Sequence, residues 1–97
     1  MSMETATTSG LLTADAVICA RPAKLQTITL VAAAADATLI IYDNATAASG
    51  TVLFKALIKA NLGSDTFHLT VPVEANKGLY ADVTGASAEY IVHYSPL

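Results

Sequence analysis

The sequence predicts an all-β domain: a single small antiparallel β-sandwich or barrel, jelly-roll-like, with about seven strands behind a flexible N-terminal arm. Three observations carry this reading. The stretch ATLIIYDNATAASGTV, residues 37–52, is a two-faced strand that enters a turn at Asp43-Asn44. It then crosses small residues to Ser49-Gly50 and resumes as a strand at Thr51-Val52. The stretch NKGLYADVTG, residues 76–85, is a second turn-strand-turn unit. The other apolar runs are short and divided by turn residues, the spacing of an all-β chain.

Element by element, residues 1–10 are small, polar and Thr-rich, with nothing to anchor them to a core, and read as the arm. The domain proper is residues 11–97. Residues 11–19 make the first strand, closed by a corner at Arg21-Pro22, because Pro22 has no N–H for a ladder and holds Arg21 extended. Residues 23–31 follow, with Ile28 and Leu30 on one face. Leu25 is out of phase with Ile28, which predicts a bulge near Gln26. Four alanines, 32–35, are too few for a helix and read as a turn. Residues 38–42 place Leu39 and Ile41 on one side and Ile40 and Tyr42 on the other, so the strand is central or buried against another subunit.

Residues 51–62 fit two structures. Val52, Leu53, Ala56, Leu57 and Ala60 suit a helical period with Gly63 as its stop, whereas Thr51, Val52, Phe54 and Ile58 favour a strand. Residues 67–73 alternate, with Phe67, Leu69, Val71 and Val73 inward, and Pro72 marks a sheet edge or the end of pairing. Asn76-Lys77-Gly78 is a turn in which Gly78 is expected at positive φ. Leu79, Ala81 and Val83 then alternate with Tyr80, Asp82 and Thr84. After a turn at Gly85-Ala86-Ser87, residues 89–94 put Tyr90, Val92 and Tyr94 on one face.

Composition narrows the function. Ninety-seven residues make one domain. Charged residues are 13% of the chain, against roughly 25% in an average domain, which fits either a surface covered by copies of itself or by a partner, or an uncharged one kept wet by Thr, Ser and Asn. Net charge is −3 and the five basic residues are scattered, so no stripe exists to neutralise phosphates and no direct nucleic-acid binding is expected. Cys19 is the single cysteine, so no internal disulfide is possible. The start, MSMETATTSG, lacks the basic and apolar regions of a secretory signal. The longest apolar stretch, residues 28–41, is broken by Thr29, Asp36 and Thr38, so no membrane span and a cytoplasmic origin are expected.

Catalytic chemistry finds little footing. His68 and His93 sit mid-strand in polar phase, and with Asp82 and Glu89 they show no metal-ligand spacing. The carboxylates Asp43, Asp65, Glu74, Asp82 and Glu89 form no acid pair by spacing. Residues 48–51 lack the phosphate-loop pattern. Asp43-Asn44 is a turn former rather than a calcium loop, and Cys19 reads as a buried thiol. No enzyme activity, cofactor or metal is expected.

The segments ATLIIYDNATAASGTVLF and VPVEANKGLYADVTGASAEYIVHY resemble the small β-sandwich virion proteins of tailed bacteriophages. The matching positions are Leu39, Ile41, Tyr42, Asp43, Asn44, Gly50, Thr51, Val52, Gly78, Leu79, Tyr80, Asp82, Val83, Thr84, Gly85, Val92 and Tyr94. Departures are Ile40, where a polar residue is usual, and a long Ala-rich loop around Asp36. The resemblance tips residues 51–62 toward strand. It implies a structural virion protein, assembled in the host cytoplasm: a capsid decoration (cement) protein that stabilises the head by binding between capsid subunits. A tail, neck or fibre-associated part is the alternative within the particle. Such proteins are often trimers, so a homo-oligomer contacting the major capsid protein or another virion protein is expected. Ile40 and Tyr42, with Met3 and Thr5 of the arm, are the candidate partner-facing residues. A carbohydrate- or receptor-binding module using the tyrosines is the reading from a different class.

Overall fold

The alternating runs fold as strands, with no helix among the described residues. The computed structural model describes residues 6–61 and 63–97. Among these residues eight strands are present: β1 (Thr7–Thr8), β2 (Ala16–Cys19), β3 (Ala23–Ala32), β4 (Ala37–Asp43), β5 (Thr51–Ile58), β6 (Gly63–Ala75), β7 (Leu79–Thr84) and β8 (Glu89–Pro96). The seven expected strands are β2 to β8, and residues 51–58 settle as strand. β1 is additional.

Two four-stranded antiparallel sheets pack together, in the orders β1-β8-β3-β6 and β2-β7-β4-β5. The pairs β1·β8, β2·β7, β3·β6 and β4·β5 are those of one long hairpin folded at the β4–β5 turn. Rolling that ribbon adds the contacts β3·β8 and β4·β7. This is the jelly-roll order. The inner faces meet in a core of Leu25, Ile28, Leu30, Leu39, Ile41, Leu79, Tyr90 and Val92, all fully buried. Phe54 and Phe67 meet edge to face, ring centroids 5.3 Å apart, where β5 passes β6.

The Gln26 bulge is present: β3 shifts register between Leu25 and Thr27 against both β6 and β8. That extra residue lets Leu25 and Ile28 face the same core although three positions apart. Pro72 lies, as expected, on an edge strand.

Other expectations are corrected. Opposite Gln26, β6 has four residues, 69–72, between the partners His68 and Val73. This excursion carries Val71 outward to 77% exposure instead of into the core. Gly78 is not among the residues at positive φ, which include Gly10, Gly50, Gly63 and Gly85. The first strand begins at Ala16, and Leu12 makes only an isolated bridge to Tyr90. The loop around Asp36 is short, since β3 reaches Ala32 and β4 starts at Ala37. Within the expected arm, Thr7 and Thr8 pair with Tyr94 and His93, and Ser9 exchanges hydrogen bonds with Val92. The edge of β8 supplied the partner that sequence alone could not show.

Candidate interaction face

Register builds one face of the molecule residue by residue. On β7, Leu79 and Ala81 point into the core, so Tyr80, Asp82 and Thr84 point out. Opposite residues in a ladder share a face, and the pairings Val17↔Tyr80, Tyr80↔Tyr42 and Tyr42↔Val52 therefore draw one row across all four strands. The row is apolar and aromatic from edge to edge. Its ends, Val17 and Val52, are 45% and 50% exposed. The next row runs Asp82–Ile40–Lys55, and the third Thr84–Thr38–Leu57, with Leu57 55% exposed.

A carboxylate pair marks the β2 side of this face. Asp15 precedes Ala16, the partner of Ala81, and so stands beside Asp82. The Asp15 Oδ1 accepts the Val83 N–H at 2.8 Å. Partial burial, and then the Asp15 charge at hydrogen-bonding reach, raise the Asp82 pKa above the ordinary carboxylate value. Beneath them the Tyr90 hydroxyl donates to the Ala14 carbonyl at 2.7 Å. Burial first, then Asp15, Tyr80 and Asp82, push its pKa up to about 12.

The motif residues Asp43 and Asn44 are occupied in holding turns. Asp43 Oδ1 accepts the Lys77 N–H at 2.8 Å and the Gly78 N–H at 3.4 Å, and its Oδ2 accepts the Asn76 N–H at 3.1 Å. Burial would raise its pKa, but these three bonds and the Lys77 charge outweigh it, so the pKa is lowered. The Asn44 side-chain Oδ1 accepts the N–H groups of Thr46 and Ala47, while its Nδ2 donates to the Ser49 carbonyl and hydroxyl. The two turn units read from sequence thus meet at one end of the sandwich. At the other end Asp36 accepts the Ala60 N–H at 2.8 Å and lies 3.5 Å from the Lys59 ammonium. The Ala60 bond is the main cause of its lowered pKa.

Of the candidate partner-facing residues, Ile40 and Tyr42 lie on the outer face, half-buried, and β4 is central within its sheet. Met3 and Thr5 lie outside the described residues. Val17, Tyr80, Val52 and Leu57 were missed. The alternation around Tyr80 was visible, but the strand phase of Val17, Val52 and Leu57 was not, nor which strands stand beside β4. His68 and His93 flank Thr27 on the opposite sheet's outer face. Among the described residues no three His, Cys, Asp or Glu side chains converge on a metal position. Cys19 is a free thiol, half-buried against the core. The tyrosines do not gather at one loop end: Tyr42 and Tyr80 share the row, Tyr90 is in the core and Tyr94 packs at its margin. Among the described residues no helix is long and apolar enough to cross a membrane. No protein-family model, curated protein or solved structure matches the chain.

Proposed function

We propose that the chain is a structural protein of a bacteriophage virion, a decoration (cement) protein that binds between capsid subunits and stabilises the head. The observation that carries this reading is the row Val17–Tyr80–Tyr42–Val52 with Ile40 and Leu57 beside it. An outer sheet row of aromatic and branched apolar residues suits attachment to another protein surface, because burying it removes apolar side chains from water. The sequence resemblance supports the same reading, and its Asp43, Asn44 and Gly78 act here as braces of a rigid module. The jelly-roll order is shared by capsid and lectin domains, a fold-level analogy only. Self-association, as the trimer that the resemblance implies, belongs to this proposal.

The test is to purify particles from a culture that makes the protein, label them with antibody to this chain, and image them. Label on heads is the expected result, and Ile40→Asp should fold yet be lost from the particles. Label on the tail would select the tail, neck or fibre reading. Recovery of the chain only outside the particles would overturn the proposal.

A further inference from the structure

The four sheet edges are not equally protected. β1 is two residues long and β2 four, with an irregular register at Ile18. β6 contains Pro72 and the excursion 69–72, which breaks its ladder. Only β5 is a long edge without Pro or Gly. One bulge lies at Leu53, where Tyr42 pairs with Val52 and Ile41 with Phe54; from Phe54 to Ile58 the strand pairs with β4 without a register shift. As an edge strand it turns one side of its N–H and C=O ladder away from β4, a template for another strand. Its core-facing side chains are Phe54, Ala56 and Ile58, so no inward charge guards it.

We propose that two copies of this chain pair antiparallel through β5, about a twofold axis at Ala56, merging their β2-β7-β4-β5 sheets into one continuous sheet. The regular segment Phe54–Ile58 is centred on Ala56, and charge disfavours the two neighbouring registers. An axis at Lys55 would set Lys55 against its own copy, and an axis at Leu57 would set Lys55 against Lys59 of the other copy. Like charges directly opposed are unfavourable. With the axis at Ala56, each Lys55 lies opposite the exposed Leu57 of the other copy, where its methylene stem covers the leucine and its ammonium reaches water. Phe54 then lies opposite Ile58, extending the core-facing row. Pairing doubles the width of the outer face that carries Val17, Tyr80, Tyr42 and Val52. In a threefold assembly the same edge would join one trimer to the next.

The pairing is tested on the purified full chain, without any particle, so its failure and that of the virion reading are distinguishable. Mass is measured by light scattering after size exclusion and by sedimentation across micromolar to millimolar concentrations, for wild type, Leu57→Lys and the double variant Lys55→Glu/Leu57→Lys. The expected wild-type assembly has an even number of chains. Leu57→Lys, which opposes lysine to lysine twice, should weaken it about tenfold, and the double variant, opposing glutamate to lysine, should restore it. Circular dichroism confirms that each variant is folded, as expected for substitutions at exposed positions. A wild type that stays monomeric, an odd-numbered assembly, an unchanged Leu57→Lys, or a double variant that fails to recover would each overturn the pairing.

Discussion

At Gly78 a Cβ atom would stand 2.5 Å from the Cys19 carbonyl oxygen, 3.1 Å from Ala45 Cα and 3.2 Å from the Asn44 carbonyl oxygen. All three are backbone atoms and cannot rotate away, so glycine is needed for close approach and not for a left-handed φ. Gly78→Ala should cost about 1–3 kcal/mol by urea denaturation, the range for forcing atoms into a packed site. Asp82 gives a prediction of opposite sign. Its folded-state pKa is raised, so its contribution to stability is full below its unfolded value of about 3.9 and is lost as pH rises through the folded value. Asp82→Asn keeps a hydrogen-bond donor toward Asp15 at every pH. The variant should therefore be more stable than the parent at neutral pH, with the gap closing under acid, as read from melting curves across pH. Asp43 and Asp36, whose pKa values are lowered, act the other way in both proteins: they add stability above the unfolded value, lost as pH falls through the folded one.

Among the elements, β3 shows how one residue sets the phase of a strand. Leu25 and Ile28 are both fully buried, which a strict two-residue period forbids and the Gln26 bulge permits. The bulge is fixed from β8 as well, since the Gln26 amide donates to the Ser95 hydroxyl. Deleting Gln26 would remove the bulge and leave Leu25 and Ile28 in phase, whereas deleting Thr29, in the regular part of the strand, would turn either the Ala23–Ile28 part or the Leu30–Ala32 part to the wrong face. The Thr29 deletion is expected to lose about 3 kcal/mol or more, the scale of removing one large apolar side chain from a core. A deletion that left the melting temperature unchanged would show that the register recovers elsewhere.

For the whole molecule, the rolled ribbon ranks its contacts by sequence distance. The β4·β5 hairpin is local, whereas β1·β8 joins the two ends of the domain. Loop closure makes distant pairs slow to form, so folding should take milliseconds to seconds and begin at the hairpin. Asn44→Ala, which empties the hairpin turn of its side-chain bonds, should mainly slow folding. Ser9→Ala, which removes the acceptor of the Val92 N–H at the outermost pair, should mainly speed unfolding. Stopped-flow chevrons of the two variants check the order, and a reversed pattern would place the nucleus at the chain ends.

Much of this was legible in the sequence because strand signals are local. Alternation in residues 67–69 and 79–84, the turn residues at 43–44 and 85–87, Pro72 at an edge and the phase slip at Leu25 each depend on near neighbours. Residues 51–58 were not decidable that way: Ala56 and Lys55 tolerate a helix, and strand wins because β4 offers a ladder and the core takes Phe54, Ala56 and Ile58. Val71 failed for a related reason, since its strand leaves the ladder opposite the single residue Gln26. The sequence by itself determined the class of the fold, the positions of its turns and the inward set of most strands, because each follows from period and turn chemistry. Only the tertiary structure decided that Val17, Tyr80, Tyr42 and Val52 form one row, that Asp15 meets Asp82, that Gly78 is pressed against Cys19 and that β5 is left at an edge. Those depend on which distant strands lie side by side, and pairing across a rolled sheet leaves no mark in the spacing of residues along the chain.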